Sequence, residues 1–145
     1  MSEPAESVED EISRLVVELR ILERTAEALQ LRINLVNANL TELNLASMSL
    51  EGIEKKDSNS IFVPIGGGSY IKAILEDTDK VVYGIGAGIA IEKTIKEAKE
   101  DIANRIAELN KAKAALEQQL NQVLTSMRER QVRLQELSSK LRRQG

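Results

Sequence analysis

The residues of this chain that suggest chemistry are two glycine-rich runs and 23 carboxylates. Gly84-Ile85-Gly86-Ala87-Gly88, after Val81-Val82, matches a fragment of the dinucleotide-binding fingerprint. There, glycines let the backbone approach a pyrophosphate at a helix N-terminus. That fold needs a second strand about 20–30 residues on, ending in an acidic residue. Here a heptad-patterned segment follows instead, so a hairpin turn needing positive φ is the better reading. Gly66-Gly67-Gly68 lacks the following Lys-Ser/Thr of a phosphate loop and reads the same way. The carboxylates are spread along helix surfaces and form no catalytic pair. There is no His and no Cys. The commonest general base, the commonest metal ligand, thiolate sites and disulfides are therefore excluded. No catalytic residue, metal ligand or cofactor site is expected, and the chain does not read as an enzyme.

The composition points to thin seams and not to a broad core. Among 145 residues 42% are hydrophobic but only 2% aromatic, namely Phe62, Tyr70 and Tyr83. All three lie mid-chain, so both ends must pack through Leu, Ile and Ala. A net charge of −3 argues against binding nucleic acid by phosphate neutralisation. No apolar run approaches the roughly 20 residues that span a membrane. The acidic start (Glu3, Glu6, Glu9, Asp10, Glu11) is unlike a signal peptide. The expected location is the cytoplasm.

Stepping along the chain, residues 7–56 carry a heptad. One seam position holds Ile12, Leu19, Ala26, Ile33, Leu40 and Ser47; the other holds Val8, Leu15, Leu22, Leu29, Val36, Leu43 and Leu50. Only Ser47 breaks the apolar series, which predicts a coiled-coil helix. Ser7 with Asp10 predicts its N-cap, and Gly52 followed by Asp57-Ser58-Asn59-Ser60 its stop. Residues 94–143 repeat the pattern through Ile95, Ala98, Ile102, Ile106, Leu109, Leu116, Leu120, Val123, Met127, Leu134, Leu137 and Leu141. Lys113 and Arg130 interrupt this second seam. The consecutive four-residue steps at Ala98, Ile102 and Ile106 should relax the supercoil. Thr94 with Glu97 predicts another cap. Each helix would be about 60–75 Å long.

Residues 60–93 change period. Ile61–Ile65, Tyr70–Glu76, Val81–Ile85 and Ile89–Lys93 predict four short strands, hence two β-hairpins. Pro64 marks an edge or a bulge. Ile71, Ala73 and Leu75 fall on one face, Tyr70 and Ile74 on the other. Two hairpins cannot bury both faces, so the segment needs partner strands. The fold class is mainly α with some β: an antiparallel two-helix coiled coil joined by two β-hairpins that form part of an oligomeric barrel. The competing arrangement has each helix dimerising with another molecule. Matched helix lengths favour the intrachain pair.

The segment Val63-Pro64-Ile65-Gly66-Gly67-Gly68-Ser69-Tyr70-Ile71-Lys72-Ala73, then Asp77-Thr78-Asp79-Lys80-Val81-Val82, then Gly84 to Lys93, flanked by heptad helices, resembles the α subunit of prefoldin (GimC), archaeal type. The resemblance covers nearly the whole chain, as one domain over 1–145. Two hairpins mark the α class, since β-class subunits have one. The first helix lacks the aromatic that α subunits often carry near its start. The resemblance implies an α2β4 hexamer with a double β-barrel platform and coiled coils whose free ends hold both termini. It implies capture of unfolded proteins without ATP and transfer to a group II chaperonin. The implied partners are prefoldin β subunits, a second α subunit, unfolded clients and that chaperonin. The alternative is a structural coiled-coil scaffold that self-assembles through its hairpins into homo-oligomers or filaments.

Two surfaces follow. The expected client surface at the free ends comprises Ile12, Leu15, Val17, Leu19, Ile21, Met127, Leu134, Leu137 and Leu141. Fraying there would offer apolar area worth about 25 cal/mol per Å². The expected assembly surface comprises Ile61, Val63, Ile65, Tyr70, Ile71, Ala73, Leu75, Val81, Tyr83, Ile85, Ile89 and Ile91. The basic end (Arg128, Arg130, Arg133, Lys140, Arg142, Arg143) should steady the acidic start; tuning of client or chaperonin contact is the alternative. Val17, Ile21, Ala28, Leu31, Leu35, Ala38 and Leu45 form a second apolar stripe that a two-helix coiled coil does not require.

Overall fold

The computed structural model describes residues 6–55, 58–76 and 79–144. The elements run α1 (Val8–Glu54), β1 (Ser60–Gly66), β2 (Ser69–Ile74), β3 (Lys80–Gly86), β4 (Ile89–Thr94) and α2 (Ile95–Gln144). Asp57, Asp77 and Thr78, invoked above as loop residues, and the acidic Glu3 lie outside the described residues. The chain divides into two compact units, Met1–Asn37 with Lys111–Gly145, and Ala38–Asn110.

Both helix starts are capped by side chains. Ser7 Oγ accepts from the Asp10 amide at 3.2 Å, and Thr94 Oγ1 from the Glu97 amide at 3.1 Å. Thr94 is also the last residue of β4, so strand passes into helix with no loop between. At its far end α1 stops inside the stretch from Gly52 to Ser60. The helix runs through Gly52 to Glu54. A helical glycine costs only about 1 kcal/mol against alanine. Leu50 and Ile53, on either side of it, pack into an apolar cluster that carries the helix past.

In the first unit the helices are antiparallel: Glu11 pairs with Arg133 and Glu18 with Arg130, rising numbers meeting falling ones. The α1 seam is covered throughout. Leu15, Leu19, Leu29 and Ile33 are buried, and Val8, Ile12, Leu22, Ala26 and Val36 half-buried. On α2, Leu137 is buried to 2% exposure. Arg130, which interrupts the seam, turns its guanidinium outward to Glu18 (2.8 Å) and to the Ser126 carbonyl (3.2 Å).

In the second unit Leu50, Ile95, Ala98 and Ile102 form a buried cluster, joined by half-buried Leu43, Ala46, Ile53, Val81, Tyr83 and Ile106. The consecutive four-residue steps of α2 fall here. They present Ala98 and Ile102 where a β-hairpin packs as well as a helix. Glu54 and Lys99 bridge the helices at 3.0 Å.

The strands make two antiparallel hairpins, β1–β2 and β3–β4. Their registers are the same at a constant offset: Ser60 faces Ile74 as Lys80 faces Thr94, and Val63 faces Ile71 as Tyr83 faces Ile91. Each has a bulge at the corresponding place, between Pro64 and Gly66 and between Gly84 and Gly86. The turns share a run of positive φ, 106°, 58° and 76° at Gly66, Gly67 and Gly68 against 108°, 52° and 74° at Gly86, Ala87 and Gly88. The closing bonds match too: the Leu75 amide donates to the Asn59 carbonyl, and the Ile95 amide to the Asp79 carbonyl.

Candidate assembly and client surfaces

Register decides which hairpin side chains share a face, since directly paired residues point the same way. On β1–β2 one face holds Ile61, Ala73, Val63 and Ile71, and the other Phe62, Pro64, Tyr70 and Ile74. On β3–β4 the corresponding faces hold Val81, Lys93, Tyr83 and Ile91, and Val82, Glu92, Gly84 and Ala90. Of the expected assembly residues, Val63, Ile65, Tyr70, Ile71, Ile85, Ile89 and Ile91 are exposed. Ile61, Ala73, Leu75, Val81 and Tyr83 are half-buried. Val81 and Tyr83 pack on the helix cluster of this same chain. The sequence reading left Phe62, Ile74 and Val82 out of that surface, yet all three are strongly exposed, Ile74 to 81%. Alternation from Ile61 and Val63 puts Phe62 on the face that already holds Tyr70 and Ile74.

Tyr83 is the anchor of the seated hairpin. The Lys93 ammonium and the Arg105 guanidinium each lie 4.9 Å from its ring centroid. Such cation–π contacts contribute about 0.5–2 kcal/mol. Lys93 is further held by an ion pair with Asp101. The Tyr83 hydroxyl is buried and has no hydrogen-bond partner among the described residues.

At the helix ends, the nine expected client residues separate by burial. Leu15, Leu19 and Leu137 close the seam, and Ile12, Met127, Leu134 and Leu141 are half-buried. Of the nine, only Val17 and Ile21 are exposed as the helices lie. Ion pairs hold that pair together. Arg133 of α2 reaches Glu11 at 2.9 Å and Arg130 reaches Glu18 at 2.8 Å, while Arg14 bridges Glu6 and Glu18 on its own side at 3.1 and 3.0 Å. The Arg133 hydrogen bond holds the Glu11 carboxyl below the usual carboxylate range. Those from Arg130 and then Arg14 do the same for Glu18. Hydrogen bonds to Glu6 and then Glu18 push Arg14 upward, and that to Glu11 pushes Arg133 upward.

Among the described residues no group of three or more Asp, Glu, His or Cys is placed to hold a metal, and no helix is long and apolar enough to cross a membrane. Capped helices closing on a narrow seam, with hairpins that leave apolar faces open, define a coiled-coil subunit built to associate through its strands. The family profile described as Prefoldin subunit matches residues 22–140. The chain belongs to the prefoldin family. Its relatives place it with the archaeal α subunits. It is 35% identical to prefoldin subunit alpha of Methanopyrus kandleri, over 79% of this chain and 74% of that protein. It is 34% identical to that of Methanobrevibacter smithii, over 83% and 78%, and 30% identical to that of Pyrococcus horikoshii, over 70% of each. Among solved structures, a chain of filamentous PFD from Methanocaldococcus jannaschii shares the fold with a TM-score of 0.66 at 23% identity, over 77% of this chain and 93% of that one.

Proposed function

We propose that the chain is the α subunit of an ATP-independent holdase, acting in the cytoplasm. It assembles through its hairpins with β-class subunits and a second α subunit into an α2β4 hexamer. It captures unfolded proteins at the free helix ends and passes them to a group II chaperonin. The observation that carries this reading is the pairing of family membership with exposed Val17 and Ile21 beside a closed seam. Apolar side chains that the fold leaves in water are what an ATP-free capture needs.

The test is suppression of aggregation. The chain, co-assembled with a prefoldin β subunit, should keep a chemically unfolded protein soluble without nucleotide. Val17→Glu with Ile21→Glu should weaken that suppression while native mass spectrometry still finds the hexamer. Unchanged suppression by the double variant rejects these residues as client contacts. A second reading, a scaffold that self-assembles through the hairpins, is favoured by the filamentous description of the Methanocaldococcus jannaschii protein. Native mass spectrometry of the chain alone separates the two, because a scaffold grows into long homo-oligomers without a β subunit.

A further inference from the structure

The face of α1 turned away from its seam carries a second ladder. In the first unit Val17, Ile21, Arg24, Ala28, Leu31 and Leu35 advance in alternating steps of four and three. All six are exposed, the four large apolar ones between 54% and 67%. A surface helix normally keeps this face polar. The alternating spacing is the one that receives knobs from a second helix. An extended chain repeats its same-face side chains about every 6.6 Å and does not match rungs about 5 Å apart. From Val17 to Leu35 the ladder spans about 27 Å, roughly five helical turns.

Charge narrows the occupant. Arg24 is a rung of the ladder itself and Arg20 and Arg32 lie beside it; none of the three has an ion-pair partner among the described residues, whereas Arg14, Glu11 and Glu18 on the same helix are engaged. Of the two unpaired carboxylates in this stretch, Glu27 borders the ladder and Glu23 lies nearer the seam. This face is thus locally basic on a chain of net charge −3. Between Arg24 and Arg32 lies an open groove of about 610 Å³, into which Gln119 and Gln122 of α2 add amide donors. A second copy would bring the same guanidinium groups against one another. A helix with an apolar stripe and acidic flanks complements the ladder in shape and charge.

The geometry points to the face between Val17 and Leu35 as a docking surface for an amphipathic α-helix flanked by carboxylates. Its biological sense rests on the holdase reading, of which it names a preferred class of client segment. The experiment uses two fluorescent peptides of about 21 residues with one leucine stripe, flanked by Glu in one and by Lys in the other. Anisotropy is read against the full chain co-assembled with a prefoldin β subunit. The Glu peptide should bind at least about tenfold more tightly at low salt, and the gap should close as salt screens the arginines. Leu31→Glu with Leu35→Glu should remove about tenfold or more of that affinity. Arg24→Glu with Arg32→Glu should reverse the preference between the peptides.

Equal binding of both peptides overturns the proposal. So does undiminished binding by Leu31→Glu with Leu35→Glu, or equal affinity for a proline-interrupted peptide that forms no helix. A changed assembly mass for the leucine variant would assign the ladder to a subunit contact and overturn it too. Capture of a chemically unfolded protein by the wild-type assembly is measured in parallel. If that fails, the holdase reading falls while the peptide preference stands or falls by itself. If it succeeds and the peptides are not discriminated, only this proposal falls.

Discussion

Hairpin β3–β4 repeats the backbone of β1–β2 twenty positions later, bulge and turn included, yet the two meet different surroundings. The second hairpin packs Val81 and Tyr83 onto the helix cluster and clamps the Tyr83 ring with Lys93 and Arg105. At the corresponding places the first hairpin has Ile61, Val63 and Ala73, and its other face shows Phe62, Tyr70 and Ile74 to water. Backbone geometry here is a local property of strand pairing and positive-φ turns. Seating is a property of three or four side chains. The second hairpin is bound to the helix cluster through Val81 and Tyr83, and the first keeps Ile61 and Ala73 half-buried but leaves Phe62, Tyr70 and Ile74 exposed.

The comparison breaks hardest at the seat. Ile102→Ala, at a buried cluster position, should cost about 3 kcal/mol, seen as a lower melting temperature. Ile74→Ala on the free hairpin should stay within about 0.5 kcal/mol in the chain alone. Equal losses would show that β1–β2 is seated too.

The shared turn offers a finer test. Ala87 occupies the left-handed conformation that Gly67 adopts freely, with φ 52° against 58°. Gly67→Ala should therefore cost about 1–2 kcal/mol, and Ala87→Gly should give a small gain in stability. Thermal unfolding of the two variants reads both signs, and a loss in Ala87→Gly contradicts the equivalence of the turns.

Smaller still is the Tyr83 hydroxyl. Tyr83→Phe removes a buried group without a partner and should stabilise by about 1 kcal/mol or less. Tyr70→Phe, exposed on the other hairpin, should change nothing measurable. A clear loss in Tyr83→Phe would mean that the hydroxyl is satisfied in solution.

The helix ends should respond least, and through pH. Glu11 and Glu18 titrate lower folded than unfolded, so their ion pairs contribute fully above the unfolded carboxylate value of about 4.3. That contribution is lost as pH falls below it, through their depressed values. Protection factors for hydrogen exchange at residues 8–19 should therefore fall below about pH 4.3, and more gently on adding salt at neutral pH. The hairpin amides should not follow, since Glu11 and Glu18 both lie on α1.

Much of this was legible in the residues themselves. The 3-4 spacing of Val8 through Leu50 named a seam, and each of those side chains is buried or half-buried. Ser7, Thr94 and Pro64 marked two caps and a bulge. These signals act between neighbours along one helix or across one turn, where period and backbone freedom suffice. The helix continues two residues past Gly52 because the packing of Leu50 and Ile53 with Ile95 and Ala98, distant in sequence, outweighs the cost of one helical glycine.

What the sequence by itself determined is therefore the set of elements, their caps and the separation of the two apolar stripes on α1. Only the tertiary structure decided which stripe is covered, which hairpin is seated, and that Arg130 in the seam turns out to Glu18. Those outcomes depend on what stands opposite each side chain. Burial is a relation between segments far apart in the chain, and no local period encodes it.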